Sequence, residues 1–169
     1  LYCDPKDSEK RNSVLILLNI ILNSLLKWFA PILSFTTEEI FQLVTKNDKS
    51  IHLEEFLKYP KKFENFELNE KWTELLKIRD VCNLSIEEKR SNKEIGSSLE
   101  AELEISLNEK LFEISKNIDF SELCITSKST VKKIDSNEII VKSKKADGKK
   151  CSICWKVTSE KCSRPSCSI

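Results

Sequence analysis

The sequence predicts a mainly α protein: a helical bundle over residues 1–93, a small α/β unit over 94–145 and a basic, cysteine-bearing tail over 146–169. Three observations predict it. Apolar residues recur at helical spacing through long stretches of the first ninety residues. Polarity alternates from Ala101 to Leu107 as it does along a half-buried strand. Four of the seven cysteines crowd into the last 19 residues.

The first helix opens at Asp7 or Ser8, either of which can cap it, and carries Val14, Leu18, Ile21, Leu22, Leu25, Trp28 and Phe29 at helical spacing. Ile16, Leu17, Ile20 and Leu26 widen that surface beyond one stripe, so neighbours are expected to cover most of this helix. Pro31 ends it, because the residue before a proline is pushed out of helical geometry. Thr36 with Glu39 matches a capping box and predicts a short helix through Ile40, Phe41 and Val44. Asn47 to Pro60 reads as an irregular segment. A third helix is predicted from about Asn69 to Ser91, with Leu68, Trp72, Leu75, Cys82 and Ile86 on its inner face. Trp28 and Trp72 read as core.

Gly96-Ser97-Ser98 then breaks the helical pattern, and Ala101–Leu107 supplies a strand. Asn108 to Asn117 predicts a short helix, and Phe120–Thr126 and Glu138–Val141 two more strands. Lys142 to Lys150, containing Asp147-Gly148, reads as a basic linker to the cysteines.

A balance of 40% hydrophobic and 33% charged residues fits a soluble globular protein rather than a disordered one. The apolar run Val14–Leu26 is interrupted by Asn19, Asn23 and Ser24 and is shorter than the roughly 20 residues a bilayer span needs, so a buried helix and no membrane are expected. The chain opens Leu1-Tyr2-Cys3, lacks methionine altogether and begins with no signal segment, which reads as a piece of a longer protein. An odd, clustered set of cysteines points to a cytosolic metal site rather than a secreted disulfide framework.

Charge is uneven. Residues 1–60 carry 7 basic and 8 acidic groups, residues 61–127 carry 10 and 15, and residues 128–169 carry 11 and 4. Such a basic tail suits contact with a polyanion, or is simply a solvated, lysine-rich face.

Cys151-x2-Cys154 and Cys162-x4-Cys167 form two pairs that can supply four soft ligands to one tetrahedral zinc ion. A C-terminal zinc knuckle of this kind needs no hydrophobic core, because metal binding supplies its folding free energy. Four thiolates leave the site at about −2, which Lys149, Lys150, Lys156, Lys161 and Arg164 can offset. A degenerate knuckle that has lost its metal is the other reading. The second pair's four-residue gap, with Pro165 inside it, makes Cys167 the doubtful fourth ligand. His52, the only histidine, is expected to be a packed or loop residue, and Cys3, Cys82 and Cys124 buried structural thiols.

Three stretches carry a family resemblance. Leu26-Lys27-Trp28-Phe29-Ala30-Pro31-Ile32-Leu33-Ser34-Phe35-Thr36-Thr37-Glu38-Glu39-Ile40 resembles a segment of the anticodon-binding helical domain of isoleucyl-tRNA synthetases. Ile78-Arg79-Asp80-Val81, with Glu87, Arg90, Lys93 and Ile95-Gly96-Ser97-Ser98-Leu99-Glu100-Ala101, resembles a second stretch of that family. Gly148-Lys149-Lys150-Cys151-Ser152-Ile153-Cys154-Trp155 resembles its C-terminal zinc knuckle, although the family's second pair is CxxC where this chain has Cys162-x4-Cys167.

The resemblance implies an anticodon-binding bundle and a cytoplasmic, monomeric class I ligase that joins isoleucine to its tRNA using ATP and magnesium and edits misactivated valine. Those reactions belong to catalytic and editing domains whose HIGH and KMSKS motifs do not occur here. With Gly96 and Gly148 as its only glycines the chain also has no phosphate-cradling loop, so no catalytic residue is expected.

The implied partner is the anticodon stem-loop of isoleucine tRNA. Loop bases are read by stacking on aromatic or guanidinium planes, which makes Trp155 and Arg164 the candidates for base contact. Packing of Trp155 over the knuckle is the plain alternative. Lys144, Lys145, Lys149, Lys150 and Lys161 are phosphate candidates as a group. Arg90 and Lys93 are either further contacts or members of a solvated face, and Arg79 reads as the latter. The competing function class is a stand-alone zinc-containing nucleic-acid-binding or adaptor module.

Overall fold

The computed structural model describes residues 4–46, 49–136, 138–159 and 167. The chain divides into two units, Leu1–Glu64 and Asn65–Ile169. Helix accounts for 52% of the residues, beside a small sheet, which bears out the mainly α expectation.

In the first unit, α1 (Glu9–Phe29) starts where Ser8, in extended geometry, accepts a hydrogen bond from the Arg11 N–H. Phe29 closes it with its carbonyl accepting from the N–H groups of Ile32 and Leu33, at 2.9 and 2.7 Å. That tight turn leads straight into α2 (Ser34–Thr45), so the helix begins before the expected capping box. Leu33 occupies the cap position without a side-chain bond, and Thr36 already lies within the helix.

Leu26, Ala30, Phe41 and Ile51, with Leu22 beside them, form the small core of this unit. Lys27 spans from α1 to Glu54 at 3.1 Å and to the Glu55 carbonyl at 2.9 Å. Glu38 on α2 accepts from the Ile51 N–H at 2.8 Å and from Ser50 Oγ at 3.0 Å, fixing the 3-10 turn Ile51–Leu53.

The Ile51 N–H holds the Glu38 carboxyl below its ordinary pKa, with Ser50 and Gln42 adding to the effect against desolvation. A depressed carboxylate contributes stability above its unfolded pKa of about 4.3 and loses it as pH falls through the lower folded value. Glu38→Ala is therefore expected to speed hydrogen exchange at the Ile51 amide severalfold at pH 6, with the difference from the parent chain closing towards pH 3. An equal difference at both pH values would show that the ionised carboxylate is not what holds the turn.

The expected covering of α1 is not met among the described residues. Ser24 and Leu26 are its buried positions, while Ile16 is 64% and Trp28 54% exposed, so Trp28 is not core. α1 runs for 21 residues and holds an 18-residue stretch of mean hydropathy 1.5, so by length and composition it is long and apolar enough to cross a membrane, which the shorter Val14–Leu26 run did not suggest. The core helix of a soluble protein passes the same test, so these properties do not place it in a bilayer.

The second unit opens with α3 (Phe66–Ser91), which Asn65 caps by accepting from the Leu68 N–H. Leu75, Ile78, Cys82 and Ile86 are buried at helical spacing on one face. Leu68 and Trp72, expected on that face, are 47% and 39% exposed because the buried stripe begins only at Leu75.

A 3-10 turn, Ser98–Glu100, leads into β1 (Ala101–Leu107), whose burial alternates as predicted. α4 (Glu109–Ser115) follows under an Asn108 cap. α5 (Phe120–Leu123), β2 (Lys128–Lys133) and β3 (Ile140–Lys145) complete the layer. The sheet order is β2-β1-β3, with β2 parallel and β3 antiparallel to β1. The parallel pair needs the crossover that α4 and α5 provide. α3 and α4 pack on one side of the sheet, enclosing Ile78, Cys82, Leu103, Ile105, Leu111 and Phe120 among others. Cys82 and Cys124 share this core, and contact with Cys124 together with burial pushes the Cys82 thiol up. Cys3 lies outside the described residues.

One strand expectation is overturned and another is shifted along the chain. Asp119 accepts from the Ser121 N–H at 2.8 Å and starts a helical turn, so Phe120–Thr126 does not extend. The strand comes later, as the edge sequence Lys128–Lys133. β3 likewise starts at Ile140 and takes Lys142–Lys145 out of the supposed linker.

Candidate metal centre and basic surfaces

The tail begins as a hairpin, β4 (Lys149–Lys150) paired antiparallel with β5 (Val157–Thr158). Gly148 enters it at φ +132°, and a Cβ there would lie 2.1 Å from the Thr158 carbonyl oxygen, so only glycine fits. Between the strands the Trp155 N–H donates to the Cys151 carbonyl at 3.0 Å, and the Cys151 N–H donates to the Lys156 carbonyl at 2.9 Å. Trp155 closes the reversal in left-handed geometry, φ 64°.

This turn brings the thiols of Cys151 and Cys154 together, and Cys167 joins them, all three sulfur atoms lying within 4.8 Å of one another. Cys154 and Cys167 are buried, and Cys151 is half-buried. The backbone N–H of Cys154, then that of Ile153, hold the Cys151 thiol down at about 6, the thiolate form that metals bind. Three converging sulfur donors can hold a metal ion. Cys167, doubtful from its spacing, is among the three. Cys162, Lys161 and Arg164 lie outside the described residues. His52 sits exposed in the Ile51–Leu53 turn of the first unit.

The knuckle is anchored to its own unit. The Val157 N–H donates to Ser127 Oγ at 2.6 Å, Ser127 in turn donates to the Leu99 carbonyl, and Lys156 Nζ reaches Ser121 Oγ at 3.2 Å. On the outside, Trp155 is 60% exposed and Ile153 45%.

The basic candidates separate onto different surfaces. Strand alternation puts Lys144 on the open side of the sheet, where it lies 3.6 Å from both Glu102 and Glu104. Glu102, then Glu104, hold its ammonium pKa up against desolvation. Its neighbour Lys145 faces the other way and lines a groove of about 570 Å³ with Arg90, Lys93, Glu87, Glu94 and Glu100. Arg90 pairs there with Glu87 at 2.6 Å, and Lys93 follows α3 in left-handed geometry, φ 59°. Lys149 is exposed on the hairpin, and Lys150 reaches Glu100 at 3.8 Å.

Sequence reasoning missed Lys128, Lys132 and Lys142, which the strand register places on the same open face as Lys144. Alternation would have found them, had the limits of β2 and β3 been legible.

Residues 1–105 match the family described as the anticodon-binding domain of tRNA ligase. The chain is also similar to isoleucine–tRNA ligases of bacteria: 63% identical over 98% of its length to that of Pelagibacter ubique, 35% over 98% to that of Bartonella henselae and 38% over 95% to that of Staphylococcus carnosus. In each case it spans about 18% of the relative's length. A helical first unit, a match running through α3 into β1, and relatives that agree along almost the whole chain lead to one assignment: the chain belongs to the anticodon-binding-domain family of tRNA ligases.

Proposed function

We propose that this chain is the tRNA-reading end of a bacterial isoleucine–tRNA ligase and binds the anticodon stem-loop of isoleucine tRNA without performing chemistry itself. The observation that carries the reading is a family match over residues 1–105 continued by a basic, sulfur-lined knuckle. Joining isoleucine to tRNA with ATP and magnesium, and editing, fall to catalytic and editing domains elsewhere in a longer, monomeric, cytoplasmic enzyme. Function divides here into an anticodon-binding helical part (1–93), a junction (94–145) and a zinc knuckle (146–169).

The metal is one structural zinc ion, chosen by the softness of the thiolate donors. Cys151, Cys154 and Cys167 hold it, with Cys162 as the fourth ligand. Exposure of Trp155 beside the knuckle supports stacking on a loop base, and Arg164 is the second base contact. Phosphates fall to Lys144, Lys145, Lys149, Lys150 and Lys161, and to Arg90 and Lys93 along the groove they share with Lys145.

The test is equilibrium binding of the chain to isoleucine tRNA across a salt series. Affinity is expected to fall steeply as salt rises, with log K linear in log salt. A tRNA with a changed anticodon is expected to bind at least about tenfold more weakly, the worth of one lost base contact at about 1.4 kcal/mol. Equal affinity for both tRNAs would refute anticodon reading.

A further inference from the structure

We propose that the open face of the β2-β1-β3 sheet is a second RNA surface, one that takes the phosphate backbone and reads no base. The inference rests on the tRNA-binding reading above and deepens it by naming a surface separate from the knuckle.

Register puts Lys128 and Lys144 on either side of Glu102, Lys142 beside Glu104, and Lys132 beside Ser106. All of these side chains project from one side of the sheet, opposite the side that buries Leu103, Ile105 and Leu107. Residues two apart on a strand are about 6.6 Å apart and neighbouring strands about 4.8 Å, so the four lysines cover roughly 13 by 10 Å. That span is close to the Debye length of about 10 Å at 0.1 M salt, so an approaching polyanion meets the patch as one charge.

Four ammonium groups stand against two carboxylates, and their depths differ. The Glu102 side chain is 12% exposed and that of Glu104 38%, while Lys128, Lys132 and Lys144 are 66%, 60% and 53% exposed. The carboxylates lie beneath, 3.6–3.7 Å from the ammonium groups they orient. An incoming anion therefore reaches the lysines first. Lys142 is exposed and has no carboxylate partner among the described residues.

The same face says what it does not bind. Sheets that read single-stranded bases present aromatic rings on their strands, and this face has none, Ile140 being its only large apolar side chain. Flat lysine rows without rings or a pocket suit phosphates. β3 then runs into the β4–β5 hairpin within four residues, so a backbone held on the sheet continues toward the knuckle.

The experiment compares the full 169-residue zinc-loaded chain with K128Q/K132Q/K142Q/K144Q, binding isoleucine tRNA from about 50 to 300 mM salt. The expected result at about 0.1 M salt is a ten- to hundredfold loss of affinity, with a log–log salt slope shallower by about 2–4. The ratio of affinities for correct and changed anticodons is expected to stay the same. An unchanged slope in a variant whose parent binds tRNA overturns this surface and leaves the tRNA-binding reading standing. A parent chain that binds no tRNA overturns both. Glu104→Gln, which removes one carboxylate, covers the case of a quadruple variant that does not fold: it is expected to tighten binding severalfold and steepen the slope, and unchanged or weaker binding overturns the proposal.

Discussion

Cys154→Ser is expected to abolish the zinc binding proposed for the three converging cysteines. A serine hydroxyl is a far poorer zinc ligand than a thiolate, and Cys154 is the buried member of the CxxC turn, with its sulfur within 4.8 Å of those of Cys151 and Cys167. Structural zinc contributes an apparent ~10–16 kcal/mol in small knuckles, which is their folding free energy. Among the described residues the tail shows no other source on that scale. Its hairpin is two residues deep on each strand, and its anchors to Ser127 and Ser121 are a few hydrogen bonds, each contributing only about 1 kcal/mol net. Bound zinc is therefore expected to drop from about one equivalent to under a tenth, with the amides of residues 149–158 losing exchange protection. The core around Leu103 should persist, since it lies in a separate buried cluster. Cys124→Ser, inside that cluster, is the control that keeps its zinc. A Cys154→Ser chain that still holds a full equivalent would remove Cys154 from the ligand set, and the same assay on Cys162→Ser decides the fourth ligand.

What the sequence made legible follows from how local each signal is. The cap at Asp7 or Ser8 and the alternation of Ala101–Leu107 are read within a few residues, and Ser8 and the strand match the structure. α1 also stops just before Pro31, at Phe29, although Ala30 keeps right-handed helical dihedrals rather than being pushed out of them. The CxxC turn is equally local, which is why Cys151 and Cys154 could be paired at sight. Cys167 is a matter of tertiary approach, so its x4 spacing gave reason to doubt a residue that does converge on the other two.

Local rules failed where a neighbour outvoted them. Thr36 had the right partner for a capping box, but the turn at Phe29 had already started the helix. Lys128–Lys133 is an edge strand with a single β-branched aliphatic residue, Val131, and its lysines concealed the period of two. That misplacement also hid the open-face lysines and grouped Lys144 with Lys145, which alternation sends to opposite sides of the sheet. The reading of α1 identified its broad apolar surface correctly and overestimated how much of it neighbours cover among the described residues.

Phe120 shows what such an override costs to remove. The sequence suggested a strand residue, yet it sits at the start of α5, fully buried among Leu103, Leu107, Leu111 and Cys124. Truncating it leaves a ring-sized void that a sheet flanked by α3 and α4 can close only in part. Phe120→Ala is expected to destabilise the second unit by about 3–5 kcal/mol, from lost transfer free energy and the residual cavity together. Domains of this size have a total stability of about 5–15 kcal/mol, so the variant should unfold at markedly lower urea or become partly unfolded without it. Phe35, 92% exposed on α2, is the matched comparison: Phe35→Ala removes the same atoms from solvent rather than from a core and should shift unfolding of the chain by under about 0.5 kcal/mol. Urea titrations followed by tryptophan fluorescence and by far-UV circular dichroism measure both. Two variants of similar cost would mean that Phe120 does not close the core, and the account of α5 as the residue run that displaces the expected strand would fail with it.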